Sequence, residues 1–247
     1  KKFIDAGIKP IGTSVKDTWV LAMLHDGLAL KSAGADKVTK ALTKQGQSYN
    51  DPDFVKAANC IKELVDMGAF IAGATGLSND EASASFYAEQ VPMYFTGSWM
   101  GGSIVTDAEK PDNFAVAPIP VVNSANASVT DFMGGGSDTL MVSANTKNKD
   151  LAAAAAFEIT RGVSKHAYLS GAGIPAWTVD YDASSVPALT QQVADIAGKA
   201  TSYTLWFDTL MSSDDAGEYL TLLQSLFAGD LKPEEFAASM DKQLSKK

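Results

Sequence analysis

Short apolar runs, each closed by proline or glycine, alternate along this chain with longer stretches of helical periodicity, and that alternation leaves few folds open. The strand-like runs are 91–96 (VPMYFT), entered beside Pro92 and ended by Gly97, then 114–119 (FAVAPI), closed by Pro118 and Pro120, and 138–142. A shorter apolar run, 8–11, is interrupted by Pro10 and reads as a strand end or turn. Between these runs lie helices. Residues 17–30 place Trp19, Val20, Met23, Leu24 and Leu28 at helical spacing. Asp51 caps a helix with Pro52 in its first turn, which runs through Phe54, Val55, Ala58, Ile61, Leu64 and Val65 and stops at Gly68. Further helices are expected from Asn79 to Tyr87, from a cap at Asn148 or Asp150 through Thr160, over 189–198, over 214–227 ahead of Gly229, and from Lys232-Pro233 through Leu244. The pattern argues an α/β protein with helices covering a sheet.

The chain has 247 residues, of which 46% are hydrophobic and 20% charged, enough to bury a sizeable core in one large domain or two lobes. No apolar run approaches the roughly 18–20 residues needed to cross a bilayer, and the alanine run 151–157 reads as a packed helix. A formal net charge of −9 with no lysine-rich stripe argues against nucleic acid and against acidic membrane headgroups. Arg161 is the only arginine, so little is available to grip phosphate or carboxylate with a planar fork, and a neutral ligand is favoured. The single cysteine, Cys60, excludes an internal disulfide and any multi-cysteine metal site, and its apolar neighbours suggest a buried helical position. The opening Lys1-Lys2-Phe3-Ile4-Asp5-Ala6-Gly7 looks like the end of a helix capped by Gly7. The expectation is therefore that a front portion, with any export signal, precedes Lys1.

Catalytic constellations are few. His25 and His166 sit far apart and outside any His-Glu-x-x-His pattern, so no metal site is expected. The Gly-x-Ser-x-Gly elbow and the Walker phosphate loop do not occur. Gly171-Ala172-Gly173-Ile174-Pro175-Ala176 formally fits a dinucleotide pattern, but Pro175 interrupts it and no strand precedes it. Asp214-Asp215 read as capping acids at a helix start rather than as two carboxylates facing one another across a glycosidic bond. No catalytic residue, cofactor or metal is assigned. A glycan-acting hydrolase using acids such as Asp131, Asp138 or Asp214 is the enzymatic rival.

Aromatic placement is more informative. Sugars present apolar faces and many hydroxyls, so their sites need flat aromatic platforms with a few fixed polar groups. Trp99 follows Gly97-Ser98 just beyond a strand. Trp177 follows the turn Gly173-Ile174-Pro175-Ala176, Trp206 lies in Tyr203-Thr204-Leu205-Trp206-Phe207, and Trp19 begins a helix just after Lys16-Asp17. Aromatic residues on loops past strand ends suit a ligand crevice, although each could instead cap the core.

The segment Phe86-Tyr87-Ala88-Glu89-Gln90-Val91-Pro92-Met93-Tyr94-Phe95-Thr96-Gly97-Ser98-Trp99 resembles the family 1 extracellular solute-binding proteins of carbohydrate ABC importers, which are maltose-binding-protein-like. These carry a helix ending Phe-x-x-Gly, an apolar strand, then Gly-Ser/Pro-Trp; Glu89 departs from the usual glycine. Five further pieces follow in the same order: 6–11 with Asp17-Thr18-Trp19, 114–120 ending Pro-x-Pro, Gly134-Gly135-Gly136 with 143–149, 173–176, and 228–235. The resemblance covers essentially the whole chain.

It implies a type II, periplasmic-binding-protein-like fold of two α/β lobes, with the front of the first lobe missing. Residues 1–128 and 176–247 would form the second lobe, and 131–173 a returning piece of the first. It implies a non-enzymatic substrate-binding subunit that traps a sugar or oligosaccharide between lobes and delivers it to the transmembrane subunits of an ABC permease. Such a protein would be a monomer without cofactor, lipid-anchored on the outer face of the cell membrane or free in the periplasm. By position Trp99 matches the principal stacking aromatic and Trp206 a second platform. Asp17 and Trp19 fall where a polar contact and an aromatic occur, Gly134, Gly135 and Gly136 would offer backbone N–H groups, and Trp177 would lie near the ligand or the hinge. The same fold could instead take a polyamine, a peptide or a metal chelate.

Overall fold

The second helix shows how the core is organised. Residues 20–33 offer no polar stripe, and an all-round apolar helix is stable only when covered on every side. In the computed structural model, which describes residues 1–136 and 139–246, this helix is buried from Val20 to Ala33. The elements in chain order are α1 (Lys2–Asp5), β1 (Ile11–Gly12), α2 (Thr18–Ala33), α3 (Ala35–Leu42), α4 (Pro52–Asp66), α5 (Asn79–Tyr87), β2 (Met93–Tyr94), α6 (Met100–Asp107), a 3-10 turn (Pro111–Asn113), β3 (Asp131–Met133), α7 (Lys149–Leu169), α8 (Ala188–Ala197), β4 (Ser202–Thr204), α9 (Phe207–Leu210), α10 (Ser213–Ala228) and α11 (Pro233–Leu244).

The chain divides into two compact units. The larger comprises Lys1–Thr96, Pro118–Gly135 and Ala200–Lys247, and the smaller Gly97–Ala117 with Gly136–Lys199. In the larger unit α4, α10 and α11 pack around α2, and Leu21, Ala29, Phe54, Ile61, Leu223, Leu226 and Phe236 form its dry interior. Two parallel strand pairs lie in this unit: β1 with β2, in register Ile11 to Met93, and β3 with β4, in register Asp131 to Ser202. An isolated parallel bridge joins Ile11 to Phe70.

Local chemistry sets the boundaries. Asp51 caps α4 by accepting the Asp53 N–H, Ser78 and Glu81 form a reciprocal capping box on α5, and Ser212 caps α10. Gly229 ends α10 in the left-handed conformation. The loop ahead of β3 is clamped to α2. The buried Lys31 Nζ donates to the carbonyls of Ser128 (2.8 Å), Val129 (3.0 Å) and Asp131, while the Val122 and Asn123 N–H groups donate to the Lys31 carbonyl. Asp53 holds the same loop from α4, accepting from Asn123 at 2.9 Å and Asn126 at 2.7 Å.

Several sequence expectations are corrected. The run 114–119 makes no strand ladder, since Pro118 and Pro120 lack the N–H groups a ladder needs. Only Met93–Tyr94 of 91–96 is paired. The expected strand 138–142 begins at Asp138, outside the described residues; 139–142 carry no strand, and Met141 is almost fully exposed. Helix α7 extends to Leu169, beyond Thr160, and its alanine run is not packed: α7 has no buried residue and exposes Leu151 (70%) and Val163 (62%). Helix α6 was not expected, because its two glycines mask the helical spacing. Cys60 is half-buried, and burial pushes its thiol pKa up.

Candidate ligand site

In the larger unit the expected residues lie just past the carboxyl ends of parallel strands, the place where α/β folds gather ligand groups. After β1 the chain turns through buried Thr13 and Ser14 into α2. Ser14 Oγ accepts the Asp17 N–H at 2.8 Å and donates to the Leu77 carbonyl at 2.7 Å. The Asp17 carboxylate accepts the Asn79 N–H at 2.6 Å, and the Asn79 amide oxygen accepts the Tyr94 hydroxyl at 3.0 Å. One Asp17 oxygen is thus engaged in joining α2 to α5. Trp19, the second residue of α2, presents its indole at 41% exposure.

Past β3 come Gly134 and Gly135, both with positive φ (143° and 81°). A side chain on Gly135 would begin 3.5 Å from Tyr203 Cβ, an ordinary contact, so its left-handed backbone rather than crowding asks for glycine. Gly134 N–H donates to the Thr204 carbonyl at 2.8 Å, continuing the ladder, so that group is committed to the sheet. Leu205 and Trp206 leave β4 on the same side as these glycines, since the two strands run parallel. Trp206 is half-buried, and Tyr203 is an exposed aromatic beside the glycines that sequence reasoning did not single out. The exposure of Tyr203 was not readable beforehand, because in Ser202-Tyr203-Thr204 it is the hydroxyl-bearing Thr204 that turns inward and the aromatic that turns out.

In the smaller unit Trp99 stands at the head of α6, 47% exposed. A Cβ on Gly97 would fall inside the Trp99 indole, so the Gly-Ser-Trp spacing lets the ring fold back over the main chain. Gly101 lets α6 approach the Gly171 carbonyl, which also accepts the Thr190 hydroxyl at 3.2 Å. Trp177 packs edge-on against Phe157 of α7, with ring centroids 5.0 Å apart. Gly136 has open space where a side chain would stand.

The acids of the hydrolase reading have other company. Burial pushes the Asp131 carboxyl upward, but donors from Ser128, Ser202 and Thr201 outweigh it and hold the pKa below the usual carboxylate range. Asp214 lies exposed in the first turn of α10, and Asp138 is outside the described residues. Among the described residues no group of three or more His, Cys, Asp or Glu could hold a metal ion.

An α/β unit built from three separate stretches of chain, with parallel strands opening onto aromatic and glycine residues, is the architecture of a type II periplasmic-binding-protein-like solute receptor. The chain belongs to the bacterial extracellular solute-binding protein family, whose model matches residues 1–157, and this is a family of binding proteins rather than enzymes. It is similar, at 31% identity and a TM-score of 0.93 over 98% of its length, to a structure from work on xylan utilisation by the thermophilic bacterium Caldanaerobius polysaccharolyticus. A chitin oligosaccharide binding protein is similar at 22% identity and a TM-score of 0.85, again over 98% of this chain. A Bacillus licheniformis sugar transporter protein solved in complex with stachyose is similar at 18% identity and a TM-score of 0.73, also over 98%. The chain spans 62% of the length of each of these three. No curated protein sequence matches it. The position where the family resemblance calls for glycine, Glu89, has a φ of 56°, so the backbone keeps the left-handed turn although the side chain has changed.

Proposed function

We propose that this chain captures a neutral sugar or oligosaccharide and, as the extracellular substrate-binding subunit of an ABC importer, delivers it to a membrane permease. The observation that carries this reading is the placement of partly exposed indoles, Trp19 and Trp206, past the ends of parallel strands. Trp99, exposed at the head of α6, is the principal platform on the family resemblance. Xylan, chitin oligosaccharide and stachyose, named for the similar structures, are all saccharides with apolar ring faces suited to stacking. Capture follows from closure of the whole protein's two lobes, because a sugar favours the form that contacts both of its faces. The protein acts as a monomer, without catalysis or cofactor, outside the cell membrane, either lipid-anchored or periplasmic. None of the helices among the described residues is long and apolar enough to cross a membrane.

Residues 1–128 and 176–247 are assigned to the second lobe and 131–173 to the first, the stretch 97–117 going with the second on the resemblance. The apolar side chains exposed along α7 support a first-lobe role for 149–169, since a solvated helix has no use for Leu151 and Val163 on its surface.

A thermal-shift screen against xylo- and chito-oligosaccharides and galactosides tests the function. A saccharide at a hundred times its Kd stabilises the folded state by about 2.7 kcal/mol, and Trp99→Ala should abolish the shift. A shift that survives Trp99→Ala removes that residue from the site. No shift with any saccharide, together with one for a polyamine, peptide or metal chelate, refutes sugar capture.

A further inference from the structure

Helix α2 buries two titratable neighbours, His25 and Asp26, in the middle of the larger unit. The Tyr219 hydroxyl of α10 lies between them, 2.8 Å from His25 Nδ1 and 2.6 Å from Asp26 Oδ1. The second carboxyl oxygen, Asp26 Oδ2, accepts the Phe207 N–H at 3.2 Å. Phe207 follows Trp206 and opens α9, and the Trp206 carbonyl accepts the N–H groups of Thr209 and Leu210. The Phe207 ring is itself held, with its centroid 5.4 Å from Tyr219 and 6.1 Å from His25. Two polar atoms of the cluster, His25 Nε2 and the Tyr49 hydroxyl, have no hydrogen-bond partner.

A buried carboxyl is costly, and apolar packing at the same place commonly gives a more stable core. Here the carboxyl does something an apolar side chain could not. It grips a main-chain N–H immediately beyond the indole assigned to the ligand.

We propose that Asp26 is a positioning residue, which fixes through the Phe207 N–H the peptide from which Trp206 projects, and that the His25–Tyr219–Asp26 chain is a proton-linked switch governing that grip. The inference rests on the reading of Trp206 as a ligand platform. Burial pushes the Asp26 carboxyl up to about 8, against the lowering bonds from Tyr219 and Phe207, and Asp208 adds to the rise. Burial pushes His25 down to about 3, so its ring is neutral throughout. The groups around the carboxyl are His25 on α2 itself, Tyr219 from α10, Asp208 from α9 and Tyr49 ahead of α4, and α11 contributes the uncharged Phe236. None of these supplies a positive charge near neutral pH.

On the acid side of the transition Asp26 Oδ1 carries a proton and donates it to the Tyr219 oxygen. Tyr219 donates to His25 Nδ1, and the imidazole hydrogen sits on Nε2. On the alkaline side one proton has left to solvent and the chain runs the other way: His25 Nδ1–H donates to Tyr219, and Tyr219 donates to the carboxylate. The imidazole hydrogen has then moved from Nε2 to Nδ1. The Phe207 N–H now meets a charged acceptor, roughly twice as strong as a neutral one.

The chain holds two histidines, so imidazole ¹⁵N spectra of the His166→Gln protein report His25 alone. The expected result is a tautomer change with its midpoint near pH 8, matched by a shift of the Trp206 indole N–H signal with the same midpoint. Both transitions should vanish in Asp26→Asn; in Tyr219→Phe the His25 transition should vanish, while the Trp206 transition stays and moves to higher pH, because a bond that lowers the Asp26 pKa is gone and the Phe207 N–H contact is kept. Should Asp26→Asn fail to fold, Tyr219→Phe, which removes a single oxygen, decides. A tautomer constant from pH 6 to 10 overturns the switch, and a Trp206 shift that persists in Asp26→Asn, keeps its midpoint in Tyr219→Phe, or is missing altogether overturns the positioning. No sugar enters these measurements, so a failed saccharide screen removes the platform role of Trp206 and leaves this result to stand or fall separately.

Discussion

Replacing Lys31 with methionine isolates the clamp between α2 and the loop that feeds β3. Methionine keeps most of the buried stem and removes only the ammonium, whose three acceptors are the carbonyls of Ser128, Val129 and Asp131. A hydrogen bond from a charged donor contributes about 1.5–3 kcal/mol, but the three are not additive. Ser128 and Val129 are exposed, so water can reach some of the released carbonyls. Removing the ammonium also relieves its desolvation, which pushes the Lys31 pKa down although Asp131 pulls it back. The net loss should then be about 3 kcal/mol, the lower end of what breaking a buried charged contact costs. With a urea slope of about 3 kcal/mol per molar, the midpoint falls by about 1 M. Equilibrium urea unfolding followed by tryptophan fluorescence measures it. Amide exchange should quicken first at Gly134 and Thr201, whose N–H groups bond to Thr204 and Thr130 across the β3–β4 ladder. A loss below about 1 kcal/mol, or a variant more stable than its parent, would show that the clamp is a tolerated burial and not a support.

Other tests address separate features. Between pH 6.5 and 8 the folded Asp26 keeps a proton that the unfolded chain has lost, so stability should fall by about 1.4 kcal/mol per pH unit, or about 2 kcal/mol in all. Between about pH 4 and 6.5 neutral His25 gives the opposite slope, so a near plateau is expected there; urea midpoints that rise above pH 6.5 contradict the assignment. Gly34→Ala should cost about 2 kcal/mol or more, since Gly34 has a φ of 82° and an added Cβ would meet the Asn126 carbonyl; an unchanged melting temperature refutes this. Gly97→Ala should displace the Trp99 indole and weaken any saccharide response, with its effect on melting kept small by the exposure of the ring. Leu151→Glu and Val163→Glu should change the stability of this chain by less than about 0.5 kcal/mol, but destabilise a polypeptide extended by a first lobe if α7 packs there.

Helices were legible wherever caps and glycines punctuated them: Asp51-Pro52 ahead of α4, Gly229 after α10 and Pro233 at the start of α11. Strands were harder, because each ladder among the described residues is two or three residues long and pairing depends on partners far away in sequence. The run 114–119 has the composition of a strand but joins no strand ladder among the described residues. Most of the candidate site could be read, since glycine and tryptophan at strand ends leave a local signature. The His25–Asp26 pair could not, because adjacent titratable side chains on a helix normally mark a side that faces water, and only the packing of α10 and α11 over it reveals its burial.

That buried helix also dictates when the protein can fold. Asp26 meets Tyr219 across 193 residues of chain, and no earlier segment supplies the hydroxyl. At translation rates of about 5–20 residues per second, α2 waits roughly 10–40 s for its partner. During that interval α4 can cover one side of α2, but the side that takes α10 is uncovered and the carboxyl is hydrated. Closure of so long a loop is slow compared with local helix formation. The α10 side of α2 therefore stays open until α10 has been made, a lag that leaves time for a holding chaperone to engage α2.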